Sequence, residues 1–241
     1  MPYQLIDAIT RYNARHCVTL NIKSILTDMD GVIYDSMKYH SVAWAQTMNQ
    51  EGISCTADEF YLHEGRTGRA TINIYFSRDK GHDASEEDIQ RIYAEKARRF
   101  TAFGKGKPMP GALEFLTEIK QAGYKIVLVT GSGQRSLLDK IDNDFHGIFT
   151  SSTMVTAFDV KIGKPNPEPY LIGLKKAGVK ATEAIVIENA PLGIEAGVSA
   201  GIFTIGVNTG PLPDELLYEA GADIVFPDIY VLTEEIRKII Y

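Results

Sequence analysis

Four short segments of this chain hold residue types that could do chemistry together. Thr27-Asp28-Met29-Asp30-Gly31-Val32 sets two carboxylates one residue apart on a glycine-containing turn. Such a pair asks for a function, although a turn with Asp and Gly is common after any strand. Val129-Thr130-Gly131-Ser132-Gly133 adds small hydroxyls and glycines, whose backbone N–H groups suit an anion at the start of a helix. Gly163-Lys164-Pro165-Asn166-Pro167-Glu168 places a lysine before a proline-fixed turn, and Ile187-Glu188-Asn189-Ala190-Pro191 follows with an acid and an amide. Each segment alone has an ordinary reading as a turn, a helix cap or a solvated loop cation. Their joint order, carboxylates, hydroxyls, a cation, then an acid beside an amide, points to phosphate.

These segments must be brought together by the elements around them. The apolar runs Ile25-Leu26-Thr27, Lys125 to Val129, Ala184 to Ile187 and Ile202 to Ile205 read as buried parallel strands. Between them, amphipathic spacing predicts helices over 111–122, 133–141, 167–177 and 190–200, with Gly123, Gly178 and Gly201 as C-terminal caps. Helices at 213–220 and 229–240, flanking Asp223-Ile224-Val225-Phe226, complete the pattern. The expected class is α/β, a doubly wound Rossmann-like parallel sheet. Residues 37–107 break the alternation, with helical patterns and no convincing strand, and they leave through the linker-like run from Gly104 to Gly111. The expected organisation is a core of 21–36 and 108–241, an inserted α-helical cap of 37–107, and an N-terminal helical extension of 1–20. An insertion after the first strand hangs over the carboxyl ends of the strands, where ligands bind in such sheets, and can act as a lid.

Bulk properties narrow the partners. With 241 residues, 44% hydrophobic and 23% charged, the chain is an ordinary globular protein. A net charge of −6 without a basic stripe speaks against nucleic acid. Cys17 and Cys55 form no CxxC motif and have no clustered histidines, so neither a disulfide framework nor zinc is expected, and a reducing cytoplasm is. No apolar run has the roughly 18–20 residues needed to cross a bilayer. The first twenty residues carry Leu5, Ile6, Ile9 and Tyr12 at helical spacing, as in an amphipathic helix resting on the core.

With DMDGV, VTGSG, the Lys164 of GKPNPEP, and IENAPLG in this order over nearly all of 24–226, the chain resembles the haloacid dehalogenase superfamily. The resemblance implies that Asp28 attacks phosphorus to form an aspartyl phosphate, while Asp30 protonates the leaving group and later activates the acceptor. It implies that Thr130, Gly131, Ser132 and Lys164 hold the phosphoryl oxygens. It also implies a Mg2+ ion between the Asp28 carboxylate, the Asp30 backbone carbonyl and the Glu188–Asn189 pair. Asp35-Ser36-Met37-Lys38-Tyr39-His40 followed by Ala43-Trp44, with a later helix carrying Lys96, is similar to the β-phosphoglucomutase-like subgroup with a helical cap. By that resemblance His40 is a positioning or proton-bearing group near Asp30 and Lys96 a cation for the distal part of the substrate.

Two departures bear on the substrate. Asn189 stands where many relatives have a second acid, and the cap loop His63-Glu64-Gly65-Arg66-Thr67-Gly68-Arg69 does not align with the mutase loop, which leaves Arg66 and Arg69 as candidate grips for a distal phosphate. HEGRTG together with ENAPLG looks like an inorganic pyrophosphatase branch, in which the glutamate matching Glu64 reaches the magnesium. The expected enzyme is a monomeric phosphohydrolase or phosphotransferase acting on pyrophosphate or a small sugar phosphate, with β-phosphoglucomutase as the alternative. A noncatalytic binding module would be favoured only if Asp28 or Asp30 were missing, and both are present.

Overall fold

The apolar runs assemble into one six-stranded sheet whose middle strand carries the paired carboxylates. The computed structural model describes residues 4–104, 106–133 and 135–240, with backbone only at 135–139. Lys105 of the expected linker, Gln134 of the expected 133–141 helix, and the first three residues of the expected extension lie outside the described residues. The core strands are β1 (Ser24–Thr27), β4 (Lys125–Val129), β5 (Met154–Val155), β6 (Ala184–Glu188), β7 (Phe203–Val207) and β8 (Ile224–Phe226), in the order β5-β4-β1-β6-β7-β8. Every pairing in this sheet is parallel. The strand order runs outward in both directions from β1, so β1 marks the switch point where a doubly wound sheet opens its crevice. Register makes this concrete: Thr27 lies beside Leu128 on one side and Ile187 on the other. Residues 28, 129–130 and 188 therefore emerge side by side.

Helices α5 (Ala112–Gln121), α6 (Arg135–Asp144), α7 (Glu168–Ala177), α8 (Pro191–Ser199), α9 (Asp214–Glu219) and α10 (Ile229–Ile240) connect and cover the strands. In α5 the buried stripe Ala112, Phe115, Leu116 and Ile119 follows helical periodicity and faces the core. α7 stops at Gly178, whose φ of 68° is a left-handed cap. The N-terminal helix α1 (Leu5–His16) buries Leu5, Ala8 and Tyr12. Its Tyr12 hydroxyl donates to Gly201 O at 3.0 Å and its ring meets Phe203 edge-on at 5.3 Å, so α1 is part of the core packing.

Residues 37–102 are helical, as their patterning predicts: α2 (Met37–Gln50), a 3-10 turn (Asp58–Tyr61), α3 (Gly68–Lys80) and α4 (Glu86–Ala102). They bury a separate apolar cluster that includes Trp44, Phe60, Ile72, Tyr75 and Ile92. Thr67 and Ser85 cap α3 and α4 by accepting from Ala70 N and Asp88 N. Three two-residue strands escape the sequence pattern. β5 is too short to show a period, and β2 (Tyr34–Asp35) pairs antiparallel with β3 (Lys107–Pro108). That ribbon ties together the two chain crossings between the helical segment and the sheet. Among the described residues no helix is long and apolar enough to cross a membrane.

Candidate active site

Asp28 follows β1 directly and is 3% exposed. Lys164, 1% exposed, donates to Asp28 Oδ1, to Glu188 Oε1 at 2.6 Å and to Val129 O at 3.0 Å. The Tyr170 hydroxyl also donates to Glu188 Oε1, at 2.7 Å. Burial works against the Lys164 charge, but Asp28 and Glu188 outweigh it and keep the ammonium protonated. Burial, with Glu188 and Asp30 adding to it, pushes the Asp28 carboxyl above its ordinary value against the pull of Lys164. On the next strand edge, Thr130 Oγ1 accepts from Ser132 N at 3.0 Å and shapes the phosphate-type loop.

The helical segment closes this crevice with two sets of contacts. In the first, Asp30 Oδ1 accepts from Ser36 Oγ at 2.5 Å and lies 3.1 Å from His40 Nε2, while His40 Nδ1 lies 2.6 Å from Lys96 Nζ. A protonated ammonium can only donate, so Nδ1 accepts and the Nε2 proton points to Asp30. His40 is stacked on Phe100 at 3.9 Å, and Lys96 lies over Trp44 at 5.1 Å. Burial raises the Asp30 carboxyl, but His40, Ser36 and Lys96 outweigh it and hold it below its ordinary value. Burial brings Lys96 down from 10.5 to about 7 against the opposing charge of Asp30. His40 is lowered by burial and by Lys96.

The second set is the loop 63–67. Glu64 Oε1 accepts from Asn189 Nδ2 at 2.9 Å, which leaves Asn189 Oδ1 buried and unpaired. Burial raises the Glu64 carboxyl well above its ordinary value, with Asp28, Glu188 and Asp30 adding to it against the Asn189 hydrogen bond. Two glycines make this approach possible. A Cβ at Gly131 would stand 2.5 Å from Gly65 O, and one at Gly31, where φ is +82°, would stand 2.0 Å from Asn189 Nδ2. Between the two sets lies a cavity of about 60 Å³, lined by Asp28, Asp30, His40, Glu64, Arg66 and Lys96 among others. That is room for about two water molecules, or one compact anion.

Of the residues singled out in the sequence, Asp28, Asp30, His40, Glu64, Arg66, Lys96, Thr130, Gly131 and Ser132 line this cavity. Lys164, Glu188 and Asn189 back it through the hydrogen bonds above. Arg69 does not join them, which corrects its reading as a phosphate grip. Thr67 starts α3, and the helix carries Arg69 to the outer face, where both Glu86 oxygens accept from its Nη2 at 2.7 and 2.6 Å. Tyr93 was missed. It lines the cavity, and its hydroxyl accepts from Gly133 N at 3.1 Å, which ties α4 to the loop after β4. The available signal was its position three residues before Lys96 on the same helical face.

The oxygen chemistry here suits a hard divalent cation. Asp28, Glu188 and Glu64 bury three carboxyl groups near a single ammonium, and Asn189 Oδ1 is an acceptor without a donor. Among the described residues no three His, Cys, Asp or Glu side chains converge as a ligand cluster. Lys164 itself lies between Asp28 and Glu188.

A buried carboxylate after β1, a second carboxylate from the helical segment, and a lysine on the third strand edge of a switch-point crevice are groups that suit phosphoryl chemistry. The family comparison agrees. The model for haloacid dehalogenase-like hydrolases matches residues 25–207, and the chain belongs to that family. It is an enzyme of the phosphatase or β-phosphoglucomutase-like kind. A solved structure described as "Putative beta-phosphoglucomutase from Bacteroides vulgatus" is 50% identical, covering 97% of this chain and 95% of its own, with a TM-score of 0.92. The "Phosphorylated carbohydrates phosphatase" of Thermotoga maritima is 32% identical over 203 residues, 83% of this chain and 92% of that protein. The "Beta-phosphoglucomutase" of Bacillus subtilis is 28% identical over 226 residues, 89% of this chain and 93% of that protein.

Proposed function

We propose that this enzyme is a Mg2+-dependent inorganic pyrophosphatase that works through an aspartyl phosphate on Asp28. The observation carrying this reading is the contact between Glu64 and Asn189, which brings a cap carboxylate to the acid–amide pair of the core. The ion would be held by Asp28, the Asp30 carbonyl, Glu188, Asn189 and Glu64, and would neutralise phosphate charge as a carboxylate approaches it. Because Glu64 reaches the pair only with the cap shut, the reading favours a substrate small enough to be enclosed.

Asp28 Oδ attacks one phosphorus, the bridging P–O bond breaks, and the second phosphate departs. Lys164, Thr130, Ser132 and the Gly131 N–H hold the transferred phosphoryl oxygens. Asp30 then takes a proton from the water that attacks the aspartyl phosphate, releasing phosphate and freeing Asp28. The low resting value of Asp30 fits this order of events. Held ionised, it can accept a proton but has none to donate at rest, and a phosphate leaving group with a second pKa of about 6 needs less protonation than a sugar alkoxide would. His40 and Lys96 position Asp30, and Arg66 supplies positive charge beside the departing phosphate. In this reading 37–107 is the moving cap on a core of 21–36 and 108–241, residues 1–20 are a packed extension, and the enzyme acts as a cytoplasmic monomer.

A second reading, transfer between positions of a sugar phosphate or its hydrolysis, is favoured by the names of the relatives above. Phosphate release from pyrophosphate, small sugar phosphates and β-glucose 1-phosphate with Mg2+ separates the two. Pyrophosphate should be the preferred substrate, and Glu64→Ala should remove that preference. Activity surviving Asp28→Asn would sink the mechanism. Unchanged pyrophosphate hydrolysis in Glu64→Ala, with glucose 6-phosphate formed from β-glucose 1-phosphate and the bisphosphate, would select the mutase.

A further inference from the structure

The polar groups around the catalytic cavity are almost all engaged with one another. Asp30 is held by Ser36 and His40, His40 by Lys96, Glu64 by Asn189, Asp28 by Lys164, and Thr130 Oγ1 by Ser132 N. Two side chains on the cap loop depart from this. His63 and Arg66 both line the cavity, and His63 Nδ1 and Arg66 Nε are buried without a hydrogen-bond partner. They belong to one turn, closed by Arg66 N donating to His63 O at 3.3 Å.

The surroundings of His63 are aromatic. Its ring meets Tyr75 edge-on at 5.4 Å and Phe60 at 6.4 Å. A leucine or phenylalanine would satisfy such a setting without burying an unpaired nitrogen. The polar ring is therefore unexplained by packing, and its neighbour Arg66 has the same unmet donor capacity on the same turn. Burial lowers the proton affinity of both, against the opposing charges of Glu59 at His63 and Glu195 at Arg66.

We infer that His63, together with Arg66, forms a subsite on the cap for the phosphate that leaves, and that His63 thereby selects substrates whose leaving group is itself a phosphate. The inference rests on the pyrophosphatase reading and adds a specificity-determining residue to it. A neutral imidazole carries one N–H, and its tautomer adapts to the oxygen presented. Arg66 supplies the charge, and His63 a directed donor.

The test compares pyrophosphate with acetyl phosphate, which gives the same phosphoryl group to Asp28 but releases acetate. Wild type, His63→Phe, His63→Asn and His63→Gln are assayed on both. Asn places its amide near the Nδ1 position and Gln near Nε2. Losing one hydrogen bond to a charged phosphate lowers kcat/KM by about tenfold or more. His63→Phe should lower kcat/KM on pyrophosphate by at least about tenfold more than on acetyl phosphate, and either Asn or Gln should restore the ratio. A parallel loss on both substrates, no loss at all, or a selective loss that neither amide repairs would each overturn the subsite. Wild type that hydrolyses acetyl phosphate but not pyrophosphate would refute the pyrophosphatase reading itself and the subsite with it. If wild type cleaves pyrophosphate and the ratio does not respond to His63, the subsite alone falls.

Discussion

Replacing Lys96 by methionine should make the protein more stable below neutral pH while crippling it. Lys96 is 3% exposed, and burial brings it from 10.5 to about 7. The folded state thus holds this proton less tightly than the unfolded chain does. Where the lysine is charged in both states, below about pH 7, folding bears the full penalty, and the penalty fades as pH rises toward 10.5. The difference corresponds to about 5 kcal/mol at most. Methionine fills similar volume and removes that cost, but it also deprives His40 Nδ1 of its 2.6 Å donor and Trp44 of its cation. These losses amount to about 3 kcal/mol together. The net gain at pH 6 is about 2 kcal/mol, or roughly 4–8 °C in Tm for a chain of this size. Between pH 6 and 9 the gap should narrow by about 2 kcal/mol, toward zero, because the neutral amine bears neither the burial penalty nor the cation contact. Urea unfolding of both proteins at the two pH values measures it, and hydrolysis assays should show kcat reduced by about a hundredfold from loss of the Asp30-positioning pair. A variant less stable than wild type at pH 6, or a gap that is flat with pH, would refute the argument that Lys96 is retained against its burial cost.

Other changes probe the cap. Gly131→Ala places a methyl 2.5 Å from Gly65 O, so the cap cannot seat as it does here; kcat should fall by at least about tenfold with the melting curve little changed, and small-angle scattering should show a larger radius of gyration. Tyr93→Phe removes the acceptor for Gly133 N and should cost about tenfold in kcat/KM, read by steady-state kinetics. Glu64→Gln keeps an acceptor for Asn189 but loses a carboxylate; if the proposed Mg2+ site holds, Mg2+ should raise Tm, and the variant should require about tenfold more ion for the same rise in a thermal-shift titration.

Much of the core was legible because its signals are local. Buried parallel strands read as unbroken apolar runs, and the reactive residues follow those runs within a few positions, so Asp28, Thr130 and Glu188 could be found without a fold in hand. The three two-residue strands gave no period to detect. Arg66 and Arg69 were indistinguishable in sequence, since both belong to one basic loop. Only the start of α3 between them turns Arg69 toward Glu86 and leaves Arg66 at the cavity. Tyr93 looked like any helix aromatic until its hydroxyl met Gly133 N, a partner on another element.

Residue types and spacing were enough to pick out the candidate groups, namely the Asp28–Asp30 pair, the loop after β4, Lys164 and the Glu188–Asn189 pair, because strand, turn and motif are written within a few residues of each other. The tertiary structure alone decided which of these groups spend their hydrogen bonds on one another and which are left for a ligand. Glu64 and Asn189 meet across 125 residues of chain, and His40 and Lys96 across 56. Contacts of that kind depend on how a helical insertion is set down on a sheet, a matter of packing and register that no local pattern encodes.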